Sequence, residues 1–325
     1  MTRRPAGLCQ QVRVAAIDCG TNSIRLLIAD IDPERAALTD IAREMKIVRL
    51  GEGVDRTGRL SEAALDRTIG ALREYADLIR QAAPRGVRMV ATSATRDAAN
   101  SQEFVDRVKE VLGVAPEVVS GDEEARLSFT GATRELAGAA HAREGGCPPP
   151  YLVTDIGGGS TEFVLGGPAG VGGARSVDIG CVRMTERHLH GDPPSPAEVT
   201  AATADIDAAV ALVAGSVPVH QARTLVGLAG SVTTVAGIAL GLARYDPARI
   251  HHSRVSAEQV HEITGQLLGQ TRAQRAAIGV MHPGRVDVIG AGALVLDRIM
   301  IRLGFAEVLV SEHDILDGIA WSLVP

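Results

Sequence analysis

The chain has 325 residues, enough for one large domain or two ordinary ones, and its 46% hydrophobic and 22% charged residues are typical of a globular protein. A net charge of −6 argues against a general nucleic-acid surface, which would carry a basic excess. The four cysteines share no close spacing and no run of about 18 apolar residues occurs, so we expect a cytoplasmic protein without a zinc site, a disulfide framework or a membrane span.

The first half of the chain is predicted to contain three strands followed by alternating helices and strands. Two apolar segments flank the turn DCGTNS, which begins at Asp18, and a third strand is predicted at residues 44–50. Apolar residues at helical spacing then predict a helix from Ser61. The remaining elements are a strand at 87–91, a helix after Asn100, a strand at 117–119 and another helix.

The second half repeats the plan of the first. YLVTDIGGGSTEFVLGG from Tyr151 aligns with VAAIDCGTNSIRLLIAD from Val14, so that Asp155 falls on Asp18. The pattern D-x-G-x-x-S therefore occurs twice, 137 residues apart (155 minus 18), which indicates duplicated domains rather than a solenoid. The further elements are a strand at 174–178, a helix whose capping box begins at Ser195, a strand at 224–228, a helix after Ser231 and a last helix near 312–323.

Three consecutive strands followed by alternating helices and strands describe a mixed sheet with helices on both faces, and hence an α/β fold. Two such domains facing each other would place their glycine turns on opposite walls of one cleft. The irregular segment at 141–150 would lead into the second domain, and the last helix would pack back on the first.

The turn DIGGGSTE carries residues suited to a phosphate and a metal ion. Glycines let backbone N–H groups approach an anion closely. The candidate phosphate-binding residues of this turn are Gly157, Gly158, Gly159 and Ser160. Asp155 and Glu162 offer hard oxygen ligands for Mg²⁺ (or Mn²⁺). The alternative is a hairpin that needs glycines only for its geometry; a dinucleotide fingerprint is excluded because Glu162 occupies the third glycine position, and no Walker-type motif occurs.

The turn DCGTNS would form the opposite wall of the cleft. Its backbone and side-chain donors suit phosphate oxygens. These donors belong to Gly20, Thr21, Asn22 and Ser23. Asp18 would reach the metal directly or through water, and Arg25, the only charge in the following apolar strand, could face either phosphate or solvent.

Six segments of the chain resemble the exopolyphosphatase and guanosine pentaphosphate phosphohydrolase family, which belongs to the superfamily of sugar kinases, actin and chaperone ATPase domains. They are DCGTNSIRLLIAD, ATSATRDAAN, SGDEEARLSFTG, DIGGGSTEFVLG, GLAGSVTTVAG and RVDVIGAGALVLDRIM, in the family's order across nearly the whole chain. The resemblance, which is to the short two-domain form, implies two ribonuclease-H-like domains with mixed five-stranded sheets flanked by helices and the active site between them. We expect these domains at residues 1–130 and 131–310, with residues 311–325 packing back on the first.

Two further motifs gain a role from this resemblance. SATRDA places Arg96 beyond a strand end, where it could pair with a phosphate or remain a surface arginine, and the resemblance favours a functional role. GLAGSVTT places Gly230 and Ser231 at a strand-to-helix junction, where they would contact phosphate or a nucleotide, or simply cap the helix.

The motif SGDEEARL presents two adjacent glutamates. Ser120 and Glu123 fit a capping box, which gives Glu123 a structural task, whereas Glu124 points about 100° away around the helix and is free to face the cleft. The resemblance also places the general base on the glutamate directly before ARL, which is Glu124. The alternative is a solvated first-turn glutamate favoured by the helix dipole.

The sequence thus predicts an exopolyphosphatase, a metal-dependent hydrolase that processively removes terminal phosphate from inorganic polyphosphate, with Glu124 as the base and Arg96 assisting. The alternatives are a guanosine pentaphosphate 5′-phosphohydrolase of the stringent response, a non-catalytic protein that binds polyphosphate or an alarmone, and a kinase or ATP-driven chaperone-like module. The expected partners are inorganic polyphosphate or a guanosine polyphosphate, without nucleic acid or membrane, and a homodimer is a candidate assembly.

Overall fold

The computed structural model describes residues 11–134, 136 and 146–324, and its first sheet has five strands. They are β1 (Val12–Cys19), β2 (Ser23–Asp32), β3 (Ala37–Ile47), β4 (Gly86–Ala91) and β5 (Glu117–Val118). Their spatial order is β3-β2-β1-β4-β5. The first three strands pair antiparallel, β4 pairs parallel with β1, and β5 pairs parallel with β4, so the sheet is mixed as predicted.

The third strand begins earlier than predicted, at Ala37 rather than at residue 44. It lies at the edge of the sheet, and most of its residues up to Glu44 are exposed. The alternation of buried and exposed residues that signals a strand is therefore missing from its first part.

Five helices accompany the first sheet. They are α1 (Val54–Thr57), α2 (Glu62–Ala82), α3 (Ser93–Asp97), α4 (Ser101–Leu112) and α5 (Gly121–Thr133). The Ser61 side chain accepts the Ala64 N–H and begins α2, which buries Leu65 and Leu72 on one face as the apolar spacing predicted. The predicted domain boundary after residue 130 falls inside α5, which ends at Thr133.

The second sheet has six strands rather than the predicted five. They are β6 (Tyr151–Ile156), β7 (Thr161–Gly167), β8 (Gly170–Val177), β9 (Thr224–Leu228), β10 (Arg254–Ser256) and β11 (Glu307–Val310), in the spatial order β10-β11-β9-β6-β7-β8. The extra strand is β10, which pairs antiparallel with β11 at one edge. Its three residues are too few to show a periodic pattern, which explains why it was not predicted.

Eight α-helices follow the second glycine turn within the described part of the chain. They are α6 (Cys181–His188), α7 (Pro196–Ser216), α8 (Ala229–Ala239), α9 (Pro247–Ile250), α10 (Ala257–Gly269), α11 (Arg272–Ala276), α12 (Ile289–Leu303) and α13 (Ile315–Trp321). The predicted capping box at Ser195 forms, with Glu198 as its partner. Of the segment predicted as a loop at 141–150, residues 141–145 lie outside the described residues.

By length and composition alone, α7 is the one helix among the described residues that could cross a membrane, and 22% of its apolar stretch is buried inside the protein. Helix α7 is not an unbroken apolar run in the sequence, because Asp205 and Asp207 interrupt it. A single such helix is weak evidence for a membrane span, and α7 contributes Ile206 and Val210 to the core of the second half.

The last helix, α13, lies against the first sheet. Ile319 and Trp321 belong to the same buried cluster as Val14 of β1. The helix also approaches α5 so closely that a Cβ on Gly318 would lie 2.0 Å from the Leu127 carbonyl oxygen. The chain therefore returns from the second sheet to the first after β11, and the segment that makes this return passes the cleft between them.

Candidate active site

The two glycine turns have the same backbone closure. The Gly20 N–H donates to the Ser23 carbonyl at 3.0 Å, and the Gly157 N–H donates to the Ser160 carbonyl at 3.0 Å. Each turn joins two antiparallel strands, β1 to β2 in the first sheet and β6 to β7 in the second. The first strand of each pair also has a parallel neighbour, which is β4 for β1 and β9 for β6. The repeat seen in the sequence is therefore also a repeat in the structure.

The two turns lie against each other where the halves of the protein meet. A Cβ on Gly158 would lie 2.8 Å from Thr21 Cβ, and a Cβ on Gly159 would lie 2.6 Å from Ser93 Oγ. Thr21 Oγ1 and Ser93 Oγ are 3.0 Å apart and share a hydrogen bond. These two glycines therefore make room for the opposite half of the protein, which is a structural need beyond any contact with phosphate.

A cleft between the turns is lined by most of the predicted site residues. These are Asp18, Gly20, Thr21, Asn22, Ser23, Glu124, Asp155, Gly157, Gly158, Ser160, Gly230 and Ser231. Three predicted site residues, Arg96, Gly159 and Glu162, do not line it. Both sheets and the beginning of α5 thus contribute to one polar space.

Asp18, at the end of β1, is buried and pairs with Arg25 of β2. Arg25 Nη2 and Nε donate to Asp18 Oδ2 at 2.6 and 3.0 Å, while Arg25 Nη1 donates to Asp314 Oδ2. Burial raises the pKa of Asp18 above its usual value, and Arg25 offsets part of this effect. The sequence left open whether Arg25 faces phosphate or solvent. In the structure its guanidinium lies inside the protein between two carboxylates and borders the cleft.

Asp155 is the counterpart of Asp18 in the second turn. It is 7% exposed, and Ser128 of α5 donates a hydrogen bond of 2.6 Å to its Oδ2. Burial, together with the carboxylates of Asp314 and Glu162, raises the pKa of Asp155 from its usual 3.8 to about 8. An ionised Asp155 is therefore costly in the free protein and would be favoured by a cation.

Glu162 lies behind the cleft rather than on its surface. It is 1% exposed, and Ser176 of β8 donates to its Oε1 at 2.7 Å. Burial raises its pKa, and hydrogen bonds from Ser160 and Ser176 offset part of that effect. Glu162 is placed to contribute negative charge to the site without reaching into the cleft itself.

The structure separates the two adjacent glutamates as the sequence predicted. Glu124 is 8% exposed and lines the cleft, whereas the Glu123 side chain is 41% exposed. Only half of the predicted capping box forms: Ser120 Oγ accepts the Glu123 N–H at 3.3 Å, but the Glu123 carboxylate lies 3.7 Å from Arg88 Nη2. The positive end of the Arg88 side chain competes with the backbone N–H for this carboxylate.

Arg96 contacts Glu124 rather than the cleft. Its Nη1 donates to Glu124 Oε2 at 3.2 Å and to the Val119 carbonyl at 3.0 Å. Burial and the nearby Glu162 carboxylate raise the pKa of Glu124 well above its usual value, while Arg96 acts in the opposite direction. Arg96 therefore fixes the position of Glu124 and favours its ionised form, a role that the strand-end pattern did not suggest.

Arg285 borders the cleft and was missed as a site residue, although one of the quoted motifs begins with it. Its Nη1 donates to the Gly230 carbonyl at 3.1 Å, and a Cβ on Gly230 would lie 2.0 Å from Arg285 Cζ. Within the described part of the chain, Arg285 forms no ion pair with a carboxylate. It is a cation at the edge of the cleft that could pair with a phosphate.

The cleft thus combines buried carboxylates with hydrogen-bond donors. Among the described residues, no group of three or more His, Cys, Asp or Glu side chains is arranged to hold a metal ion by itself. The Oδ1 atom of Asp18 is buried and has no hydrogen-bond partner. Such an atom costs free energy unless a ligand satisfies it.

Residues 27–325 match the Ppx/GppA phosphatase family. Exopolyphosphatase 2 of Mycobacterium tuberculosis is 50% identical over 322 residues, which cover 96% of this chain and 98% of that protein. A guanosine-5′-triphosphate,3′-diphosphate pyrophosphatase of Aeromonas salmonicida is 29% identical over 310 residues, which cover 95% of this chain and 59% of that protein.

Solved structures give the same picture. An exopolyphosphatase-like protein superposes with a TM-score of 0.90 at 42% identity, covering 96% of this chain and 98% of that one. A Ppx/GppA family member from Aquifex aeolicus superposes with a TM-score of 0.77 at 31% identity, covering 97% of this chain and 98% of that one. The two-domain fold expected from the sequence is therefore confirmed.

Proposed function

We propose, since this chain belongs to the Ppx/GppA phosphatase family, that it is an exopolyphosphatase, which hydrolyses the terminal phosphoanhydride bond of inorganic polyphosphate. The observation that carries the proposal is the placement of Glu124, a buried carboxylate that faces a cleft lined by two glycine turns. The similarity to exopolyphosphatase 2 of Mycobacterium tuberculosis supports the choice of polyphosphate as the substrate.

Glu124 would act as the general base. A water molecule between Glu124 and the terminal phosphorus would give its proton to the carboxylate as its oxygen attacks. The bond from phosphorus to the bridging oxygen breaks, and the shortened chain leaves with the bridging oxygen. A base works best when its pKa lies near the working pH, and burial moves the pKa of Glu124 in that direction.

The two turns and Arg285 would hold the phosphate oxygens. The first turn offers the hydroxyl groups of Thr21 and Ser23 and its backbone N–H groups, and the second offers Ser160. Arg285 would supply the positive charge nearest to the substrate, because Arg25 and Arg96 are already paired with carboxylates of the protein. Positioning and charge stabilisation of this kind account for most of the catalysis in phosphoryl transfer.

The cleft residues also fit a divalent cation. Mg²⁺ usually takes one or two protein carboxylates and completes its shell with water and substrate phosphates. Asp18, with its unpartnered Oδ1, and Asp155, whose ionised form is unfavourable in the free protein, would hold it in this way, with Glu162 adding charge from behind. When bound, the ion would neutralise charge on the transferring phosphoryl group.

A guanosine polyphosphate is the second candidate substrate, and an adjoining cavity favours it. This cavity opens beside Arg25 and Arg285, has a volume of about 450 Å³, and has Met45, Tyr245 and Met281 on its walls. Ligand pockets of roughly 300–1,000 Å³ with mostly apolar walls are usual for small molecules. A nucleoside could occupy it while its phosphates extend into the cleft, and such a substrate would connect the protein to the stringent response.

Phosphate release distinguishes these proposals. The wild-type protein would be given Mg²⁺ and, separately, short polyphosphate, long polyphosphate, guanosine pentaphosphate or ATP. We expect release from polyphosphate. Release from guanosine pentaphosphate alone would favour the second candidate, and binding of polyphosphate without release from any substrate would indicate a non-catalytic binding protein.

We extend the proposal to a cytoplasmic location. The three cysteines within the described ranges, Cys19, Cys147 and Cys181, are free thiols. Free thiols are usual in a reducing compartment.

A further inference from the structure

The carboxylate of Asp18 is engaged at one oxygen only. Arg25 Nη2 and Nε both donate to Oδ2, at 2.6 and 3.0 Å, whereas Oδ1 is buried and has no hydrogen-bond partner among the described residues. An arginine often donates two parallel hydrogen bonds to a carboxylate, one to each oxygen. A further contact must therefore hold the guanidinium in a position from which it donates to Oδ2 of Asp18 alone.

Asp314 provides that restraint from a distant part of the sequence. Its Oδ2 accepts a hydrogen bond from Arg25 Nη1, which lies 289 positions away along the chain. Asp314 is itself fixed, because it is 3% exposed, is the N-cap of α13, and accepts the Leu316 N–H at its Oδ1 at 3.0 Å. A planar guanidinium held at both edges cannot rotate to cover the second oxygen of Asp18.

We propose that Asp314 is a positioning residue for the reaction: through Arg25, it keeps the buried Oδ1 of Asp18 unpaired for the divalent cation that accompanies the substrate phosphates. This inference rests on the proposed function and adds the last helix to the active site. The segment that carries the chain back to the first sheet would then have a functional reason to pass the cleft.

A purely structural role for Asp314 is the competing explanation, and Asp317 is the matched control for it. Asp317 lies on the same helix, is 1% exposed, and accepts the Asp314 N–H at 3.0 Å within the same capping box. It also pairs with an arginine, since Arg43 Nη2 lies 2.6 Å from its Oδ1. Its arginine, however, pairs with Asp40 of β3 and not with Asp18.

The test compares Asp314→Asn with Asp317→Asn. Asparagine is as good an N-cap as aspartate, so the first change keeps an oxygen for the helix start and replaces the charged oxygen that holds Arg25 by an uncharged NH₂ group. Mn²⁺ binding would be measured by electron paramagnetic resonance in the presence of tripolyphosphate, in a Glu124→Gln background that slows turnover. The kcat, the KM for polyphosphate and the activating Mg²⁺ concentration would be measured without the background change.

We expect Asp314→Asn to weaken Mn²⁺ binding and to lower kcat by about 10- to 100-fold, the range known for residues that orient metal ligands. The KM for polyphosphate should change by less than about threefold, because the contacts to the rest of the substrate remain. Asp317→Asn should leave both Mn²⁺ binding and kcat within about threefold of the parent protein. Equal losses in the two variants, or no loss in Asp314→Asn, would overturn the proposal.

Two further measurements keep the outcome interpretable. If Asp314→Asn does not fold, Arg25→Lys replaces it, because a lysine keeps the charge but cannot bridge both carboxylates in one plane, and the same loss of Mn²⁺ binding is expected. If the wild-type protein releases no phosphate, the proposed function fails. The difference in Mn²⁺ binding between the two aspartate variants would still decide whether Asp314 positions Asp18.

Discussion

Replacing Asp155 by asparagine should make the metal-free protein more stable, and increasingly so as the pH rises. The change keeps the shape of the side chain and leaves an oxygen for the Ser128 hydroxyl, which donates to Asp155 at 2.6 Å. It removes a charge that is 7% exposed and that lies near the carboxylates of Glu162 and Asp314. The variant therefore measures how much this buried charge lowers the free energy of unfolding.

The size of the effect follows from the pKa of Asp155. Its value of about 8 in the folded protein lies above the usual 3.8, which is the value expected after unfolding. The wild-type penalty is therefore absent below the unfolded value, grows between the two values, and is complete above the folded value. The two values lie about four pH units apart, which sets an upper limit of about 6 kcal/mol at 1.36 kcal/mol per unit.

Because neighbouring carboxylates share this penalty, the measured change should be smaller than the limit. Between about pH 5.5 and about pH 8.5 we expect the advantage of the asparagine variant to grow by roughly 1–3 kcal/mol. The assay is urea unfolding followed by circular dichroism, with EDTA present, for both proteins at both pH values. An advantage that is absent, or that shrinks as the pH rises, would refute the reasoning about buried charge in this cleft.

Two further predictions concern packing and closure. Gly318→Ala should destabilise the protein by about 3 kcal/mol or more in a thermal melt, since its Cβ would lie 2.0 Å from the Leu127 carbonyl oxygen, whereas Gly70→Ala in α2, which has open space around it, should stabilise by about 0.5–1 kcal/mol. Equal effects of the two changes would contradict the close contact of α5 with α13. Arg183→Gln should remove ion pairs to Asp55 and Asp97 that join the two halves, and so increase the radius of gyration measured by small-angle X-ray scattering. An unchanged radius would show that these pairs do not hold the halves together.

The sequence predicted the features of the site that depend on local chain geometry. The repeated D-x-G-x-x-S pattern corresponds to a repeated turn because the same backbone hydrogen bond closes both copies. The different placement of Glu123 and Glu124 was predicted from the rotation of about 100° per residue around a helix together with the family resemblance, which favoured Glu124 over a solvated first-turn glutamate. Neither prediction required knowledge of how the two halves of the chain pack.

Features that depend on long-range packing could not be predicted in this way. The contact between Arg25 and Asp314 joins positions 289 residues apart, and no local pattern marks either partner. Arg96 was expected to have a functional role because it follows a strand and lies in one of the resembling motifs, and its pairing with Glu124 on another element was not predicted. The sequence likewise did not show that Gly159 is needed where the second turn meets Ser93.

The central claim is that Glu124 is the base of a phosphoanhydride hydrolase, and one comparison tests it directly. Phosphate release from polyphosphate would be measured for wild type, Glu124→Gln and Glu123→Gln, together with polyphosphate binding by each protein. We expect Glu124→Gln to lose about 10²–10⁴-fold in kcat while still binding polyphosphate, and Glu123→Gln, whose side chain is 41% exposed, to keep wild-type activity. Full activity in Glu124→Gln, or an equal loss in both variants, would contradict it.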